Sequence, residues 1–374
     1  MKKVGILVDF AGGYGRSVLH GVMHFAQFAA NDWEFAMPPM YRLSRTGRLD
    51  PRQLDGVIAM LHDARSARPF QQAGVPVVNT ARTLSLDRLQ SAGLHSVLPD
   101  DDAVARMAYR YFRERGFAHF AFCGHPTGDW SLARQHTFAA AARGDGFECR
   151  VTVHADEVPA KWVASLPKPT ALLAANDRYS WYAVDACRIA GKKIPDDVAI
   201  LGVDNDELTV AMSRPALSSI ELPGFRIGEE AAAMLAALMA GKRVAPVPRL
   251  LPPESVISRA STDVLAMDDE SVVQALRFIR ANAAAPITVD DVLDAVPLGR
   301  RSLERRFRRA LGRSLLDEIR QVHIDRAKRL LCDTTLDMPV IARQSGFASA
   351  VRFSTVFHQA VGMSPTAFRR AHQH

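Results

Sequence analysis

The 374-residue sequence contains no HExxH, no G-x-S-x-G, no phosphate loop and no CxxC pair. These absences remove zinc hydrolases, nucleophile-elbow esterases, P-loop enzymes and CxxC redox or zinc sites from consideration. Its one glycine run, FAGGYGRSV at 10–18, lacks the G-x-G-x-x-G spacing of a dinucleotide fingerprint. The clustered carboxylates have no nucleophile beside them, so no catalytic or metal site is expected, and no cofactor. No apolar run reaches 18 residues, which excludes a membrane-spanning helix. The start, MKKVGILVDF, has too short an apolar run for a signal peptide and reads as a first β-strand. The four cysteines (Cys123, Cys149, Cys187, Cys332) lie far apart, as expected of reduced, mostly buried thiols in a cytoplasmic protein.

What the sequence does have is arginine, in one place. RRSLERRFRR at 300–309 puts six arginines into ten positions. Leu303, Phe307 and Leu311 recur every four residues, which predicts a helix from Ser302 to Leu311 with one buried stripe. Arg301, Arg305, Arg308 and Arg309 then face outward, a guanidinium surface suited to phosphates and base edges. The charge is uneven on the larger scale too. Residues 271–374 carry 17 Lys+Arg against 9 Asp+Glu, a net of +8, which leaves −1 for residues 1–270 of the total +7. A near-neutral body joined to a basic tail suits a sensor with a nucleic-acid-binding part.

Short apolar runs alternate with helical patterns through the first two thirds. VGILVDF (4–10), LDGVIAML (54–61), VPVVNT (75–80), HFAFCGH (119–125), TALLAAND (170–177) and VAILGVDND (198–206) read as strands. Amphipathic stretches at 17–30, 101–116 and 180–191 lie between them. Near-continuous apolar strands separated by helices predict parallel sheets covered on both faces, with ligands bound beyond the strands' carboxyl ends. Several of those ends are polar: Asp9, Asn79, Asn176–Asp177 and Asp204–Asn205–Asp206. The Pro-rich stretch after Gly241 suits a last crossing strand and the exit from the domain, and STDVLAMDDES at 261–271 a polar linker.

Beyond the linker every pattern is helical. ITVDDVLDAV (287–296), with Thr288 as N-cap, a PLGR turn and the arginine helix make a helix–turn–helix. MPVIARQSG, the FAS turn and AVRFSTVFHQAVG (350–362) repeat the arrangement, and the long helix at 315–335 is placed to fix the spacing of the two.

The ending GFASAVRFSTVFHQAVGMSPTAFRR, together with LERRFRRALGRS, resembles the signature of AraC/XylS-type transcriptional regulators over Ser271 to Arg370. The resemblance implies two recognition helices in successive major grooves of one DNA face. Base-reading positions then fall on Arg301 and Arg305, and on Ala350, Val351, Arg352 and Thr355, with Ser302 a further DNA-binding residue. Arg300, Arg306, Arg308, Arg309 and Arg343 fall to phosphates, which position without specifying. Ala350 and Val351 stand where polar side chains are usual, leaving either thymine methyls or weak reading for that half.

AND at 175–177, LGVDND at 201–206, LSSI at 217–220 and the Arg134–Phe138 segment resemble the periplasmic-binding-protein-like effector domain of LacI/GalR regulators. In those repressors a helix–turn–helix precedes the effector domain, whereas here the DNA-binding signature follows it. That order resembles the family of bacterial xylose operon regulators. The expected fold is therefore α/β plus all-α: a two-lobed domain of parallel sheets flanked by helices (1–262), a linker (263–270) and an all-helical domain (271–374) with helix–turn–helix units about 287–311 and 338–362.

The expected function is a cytoplasmic, sugar-responsive regulator, with activation favoured by family likeness alone. Its partners would be promoter DNA, RNA polymerase, a second copy of itself and D-xylose or another pentose. Asp204, Asn176 and Arg134 would supply the donors and acceptors a polyol needs, with Asp177 a further candidate. Tyr14 and Arg16 would face the cleft, its glycines letting backbone approach the ligand. Phe10, Trp130 and Trp181 would offer stacking faces. Two alternatives stay open: a different small-molecule effector (hexose, sugar acid or purine), or a constitutive DNA-binding protein whose front domain only dimerises.

Overall fold

The structure is a computed structural model that describes residues 1–29, 32–37, 49–264 and 269–372; the side chains of residues 332, 333, 371 and 372 are outside the description, Cys332 among them. Two compact units divide the chain. One holds Met1–Arg113 and Phe117–Val264, the other Glu114–Gly116 and the residues from Leu265 on. Part of the expected linker, 265–268, lies outside the described residues.

The first unit contains β1 (Lys2–Leu7), α1 (Gly13–Ala29), β2 (Trp33–Ala36), β3 (Gly56–Ala59), α2 (Arg68–Gln72), β4 (Val77–Asn79), α3 (Leu86–Ser91) and β5 (His95–Pro99). There follow α4 (Asp101–Arg113), β6 (His119–Gly124), α5 (Asp129–Gly144), β7 (Cys149–Val153), α6 (Ala160–Ala164), β8 (Thr170–Ala174), α7 (Asp177–Ile189), β9 (Val198–Val203), α8 (Glu207–Met212) and β10 (Ser218–Glu221). The unit closes with α9 (Gly224–Met239), β11 (Arg249–Leu251) and β12 (Ser255–Ile257).

The strands form two six-stranded sheets, in the orders β11-β5-β4-β3-β1-β2 and β12-β10-β9-β8-β6-β7. All pairings are parallel except β10 with β12. The expected two-lobed architecture of parallel sheets and flanking helices is what the chain adopts. The strands read from continuous apolar runs are the central ones: every residue of β8 and β9 is buried, as helix-covered parallel strands require. The chain passes between lobes after β5, after β10, and again between β11 and β12.

The first lobe's core joins Val4 and Ile6 of β1 and Ile58 of β3 to Val18 and Val22 of α1 and Ile227 and Leu235 of α9. Helices α1 and α9 meet backbone to backbone. A Cβ on Gly21 would lie 1.9 Å from the Phe225 carbonyl oxygen, and one on Gly228 2.0 Å from that of Val18. Among the cysteines, Cys123 and Cys187 are buried and Cys149 half-buried; burial pushes the Cys187 and Cys149 thiols up to about 12.

The second unit is helical: α10 (Glu270–Ala281), α11 (Val289–Asp294), α12 (Arg300–Leu311), α13 (Leu315–Asp333), α14 (Met338–Gln344), α15 (Ala350–Val361) and α16 (Pro365–His372). Thr288 and Asp291 form a reciprocal cap on α11, and Ser314 and Asp317 another on α13. Gly312 and Gly362, both left-handed, end α12 and α15 at equivalent positions. Helix α13 serves both halves of the unit. Its Leu315 and Ile319 join Leu303, Phe307 and Val292 in one core, while its Ile324, Ala327 and Leu331 join Phe353, Phe357 and Ile341 in the other. Buried His323 stands at the junction, 5.6 Å from the Phe347 ring, and a Cβ on left-handed Gly346 would lie 2.4 Å from its Nε2.

Candidate functional site

The carboxyl end of β9 runs into Asp204 and Asn205, whose φ values of 108° and 49° make them the non-glycine residues with positive φ among those described. Such a conformation persists only where its surroundings hold it. Here the Asp204 amide donates to the Ile220 carbonyl at 2.9 Å and the Asn205 amide to Ser219 Oγ at 3.0 Å. The Asp206 amide donates to Asp177 Oδ2 at 2.7 Å, and Ser219 Oγ donates to Asp177 Oδ1 at 2.7 Å. Asp177 is therefore a buried brace, each of whose two oxygens accepts a hydrogen bond within the protein. Burial, with Asp204 adding, holds its carboxyl well above the usual carboxylate range.

Asp204 differs from its neighbour. No hydrogen bond to its carboxyl is found among the described residues. Burial pushes its pKa up to about 7; the Arg134 guanidinium opposes the rise, and Asp101 and Asp206 add to it. Asn176 caps α7, its Oδ1 accepting from the Tyr179 amide at 3.1 Å, which leaves its Nδ2 for other work. Tyr14 enters from the first lobe. Its hydroxyl donates to the Thr80 carbonyl at 2.6 Å, and burial, helped by the charges of Asp101 and Asp204, raises its pKa well above the phenol value.

Arg134 is only 3% exposed, and its fork is occupied. Nε donates to Asp101 Oδ1 at 2.8 Å, a second nitrogen lies 2.7 Å from the same oxygen, and a third donates to the Ala175 carbonyl. The ring of half-buried Trp130 lies 5.4 Å from the guanidinium carbon. Arg134 is thereby held as a fixed positive charge beside Asp204, with two of its five N–H groups outside these contacts.

Arg16 likewise spends its donors inside the protein. It reaches Asp206 Oδ2 at 2.7 Å and the carbonyls of Phe10 and Ala11 at 3.3 and 2.8 Å. This pair bridges the lobes, and Phe10 is half-buried beside it. The glycine run permits close packing within the protein. A Cβ on Gly15 would lie 1.7 Å from the Asp9 carbonyl, and one on Gly13 2.9 Å from the Asp206 Cα. Gly13 and Gly15 allow the loop to close on its own helix and on the opposite lobe. Trp181, expected as a stacking face, is 40% exposed on α7.

Sequence reasoning missed Arg82, Asp101 and Asp129. Arg82 Nε donates to Asp129 Oδ2 at 2.8 Å, and the Trp130 amide donates to the Arg82 carbonyl at 2.8 Å, a second bridge between lobes. A guanidinium of the same residue lies 3.8 Å from Asp101. The available signal was position: Arg82 follows a polar strand end, and Asp101 opens a helix directly after β5.

In the second unit, α12 buries Leu303 and Phe307 and exposes its arginines. Arg300 pairs with Asp290 and Glu304, each at 3.1 Å, and Arg306 with Asp269 at 3.3 Å. Arg301, Arg305, Arg308 and Arg309 have no ion-pair partner among the described residues, and Ser302 is half-buried. In α15, the N-cap Ser349 accepts from the Arg352 amide, and Phe353 and Phe357 face inward. Val351 is 78% exposed, Arg352 and Thr355 are exposed, and Ala350 packs partly against the core. Arg343 is exposed near the end of α14.

Residues 109–262 match the periplasmic binding protein-like domain family and residues 292–371 a helix-turn-helix domain family. The xylose operon regulatory protein of Escherichia coli (strain K12) is 30% identical, covering 98% of this chain and 96% of its own. That of Haemophilus influenzae is 29% identical, covering 98% of each. A solved structure of a xylose-binding transcription activator superposes with a TM-score of 0.62 at 28% identity, over 100% of this chain and 99% of the other. These relatives regulate transcription and are not enzymes. No helix among the described residues is long and apolar enough to cross a membrane. Two lobes of parallel sheet followed by a helical unit that matches a helix-turn-helix domain family, with a relative 30% identical over 98% of the chain, place the chain in the family of xylose operon regulatory proteins.

Proposed function

We propose that the first unit, about 1–262, binds a pentose, D-xylose foremost, between its lobes, and that residues 271–374 bind promoter DNA and activate transcription from it. The observation that carries the effector reading is the single end of the second sheet where Asp204 keeps its acceptors and Asn176 its donor, with Arg134 and Tyr14 beside them. A vicinal polyol needs a carboxylate and an amide so placed. The DNA reading rests on the four arginines of α12 without an ion-pair partner among the described residues and on the exposed face of α15. Direct sugar contacts fall to Asp204, Asn176, Tyr14 and the half-buried faces of Phe10 and Trp130; Arg134 and Arg16 set the charge and the closure. The protein works in the cytoplasm, as a dimer on paired half-sites, and engages RNA polymerase there.

The test is a thermal shift of the full chain with D-xylose, L-arabinose, D-ribose and D-glucuronate. A bound sugar at 100 times its dissociation constant stabilises by about 2.7 kcal/mol. A shift with one pentose supports the reading; no shift with any sugar removes its effector half and leaves the DNA-binding half to be tested separately.

A further inference from the structure

The segment that leaves the first unit toward the DNA-binding unit is β12 and the short turn Ala260–Thr262. It is fastened to the second lobe by a buried hydroxyl cluster. Tyr111 Oη lies 2.8 Å from Ser258 Oγ and 2.6 Å from Thr262 Oγ1; Ser218 Oγ lies 2.7 Å from Thr262 Oγ1; and Ser261 Oγ donates to the Ile200 carbonyl at 2.6 Å. One residue of this segment also reaches the loop that carries Asp204. The Arg259 guanidinium donates to Asn205 Oδ1 at 2.9 Å and to the Leu217 carbonyl at 2.8 Å.

Asn205 faces two ways. Its Nδ2 lies 3.3 Å from Glu221 Oε1, at the point where β10 ends and the chain crosses to the other lobe. Arg259 requires an acceptor and Glu221 a donor, so an amide satisfies both, and its orientation is fixed by charge on either side. The residue also holds a left-handed φ, in the one described pair of non-glycine residues that do. A strained pair that bears the sugar-binding carboxylate, a crossover and the exit segment thus meet at one side chain.

We propose that the Asn205–Arg259 contact is the positioning link through which sugar at Asp204 sets the geometry of the exit segment, and thereby the affinity for DNA. This rests on the sugar-responsive reading above. A sugar hydroxyl on Asp204 adds a restraint to the positive-φ pair and keeps Asn205 Oδ1 on Arg259. When the pair relaxes, Asn205 leaves the guanidinium and the exit segment loses its tie to the cleft while its hydroxyl cluster remains. Neither residue is needed to touch sugar or DNA, so the signature is loss of coupling with both bindings retained.

The experiment uses the full chain, a duplex selected from a random library by the wild-type protein, and the pentose giving the largest thermal shift. Sugar dissociation constants come from calorimetry and DNA constants from anisotropy with and without sugar. Wild type is expected to change its DNA affinity about 5–150-fold on adding sugar. In Arg259→Gln and in Asn205→Gly, which keeps the left-handed backbone accessible, sugar affinity stays within about threefold and the DNA change falls below about twofold. Tyr111→Phe, which weakens the hydroxyl cluster alone, keeps the wild-type ratio. Where Arg259→Gln does not fold, Asn205→Gly decides. A wild-type ratio in a folded variant overturns the link, as does an equal loss in Tyr111→Phe. So does a sugar affinity more than about tenfold weaker, which would put the pair in the pocket itself. A wild-type protein whose DNA affinity ignores sugar sinks the sugar-responsive reading, a separate and recognisable failure.

Discussion

Arg16 at the start of α1 and Asp206 at the start of α8 form a 2.7 Å ion pair that joins the first lobe to the second beside the Asp204 loop. Gly13 makes the approach possible, since a Cβ there would lie 2.9 Å from the Asp206 Cα. On the proposed function, in which a sugar touches both lobes, the pair would favour the closed arrangement of the cleft. Arg16→Ala is expected to weaken sugar binding about three- to tenfold by calorimetry, with a stability change of about 1 kcal/mol or less, because the arginine is one-third exposed. Burial works against ionisation of Asp206, yet hydrogen bonds from Thr209 and the charge of Arg16 hold its carboxyl below the usual range. That contribution is full above the unfolded carboxylate pKa of about 4 and is lost as pH falls through the lower folded value. An Arg16→Ala protein with unchanged sugar affinity would remove the pair from the closure mechanism.

Asp204 titrates in the opposite sense. Its pKa, raised to about 7 chiefly by burial, means that the folded protein holds a proton the unfolded chain has released between about pH 4 and 7. Ionisation of this group therefore costs stability as pH rises through that window, and the cost is full above pH 7. Asp204→Asn is expected to raise the melting stability of the sugar-free protein at pH 8 by about 1–3 kcal/mol. It should also weaken sugar binding at least tenfold, since an amide accepts fewer hydroxyls than a carboxylate. In wild type, sugar affinity should fall as pH drops from 8 to 6. Stability and binding lost together in Asp204→Asn would mean the carboxylate is structural.

How much of this was legible in the sequence depends on what each residue had to reveal. The central strands were legible because residues such as Leu172 and Ile200 are buried on both faces and leave an unbroken apolar run. The edge strands β2 and β7 are half-exposed and carry no such run. Leu303 and Phe307, and Phe353 and Phe357, announced their helices by spacing. Asp204 and Asn176 were legible as polar strand ends. Which carboxylates brace and which remain available was not, because Asp177 and Asp101 differ from Asp204 in partners brought from 29 or more residues away, and Asp206 in an arginine 190 residues away besides its local Thr209 amide. The α1–α9 contact through Gly21 and Gly228 was equally hidden, since a helical glycine reads as a weak helix former until its neighbour is known.

The arginines of α12 divide by what they already hold. Arg300 and Arg306 are tied to carboxylates, whereas Arg305 and Arg308 have no ion-pair partner among the described residues and so are available for DNA. Arg305→Ala should relax base preference at one position of a selected duplex by about 1–3 kcal/mol. Arg308→Ala should weaken binding to all sequences and reduce the slope of log affinity against log salt by about 0.9. Binding series over salt and over single-base variants separate the two. Identical behaviour of the mutants would show that the assignment of base and phosphate roles is wrong.

Val351 gives the proposal that α15 is a second recognition helix its sharpest test. It is 78% exposed at the start of α15, one turn from Thr355, whose hydroxyl donates back to the Val351 carbonyl at 3.1 Å. An isopropyl group there has no hydrogen bond to give a base edge. Its complement in the major groove is the thymine 5-methyl, and burying one such group contributes about 0.8 kcal/mol. Replacing thymine by deoxyuridine in the half-site read by α15 should therefore weaken wild-type binding about two- to fivefold per contacted base. In Val351→Ala the same replacement should cost much less, because the methyl has lost its partner. The α12 half-site serves as the internal control: deoxyuridine there should cost the two proteins equally. If selected duplexes show no thymine preference opposite α15, or if deoxyuridine costs wild type and Val351→Ala alike, the helix does not read methyl groups, and Arg352 and Thr355 must carry whatever specificity that half possesses.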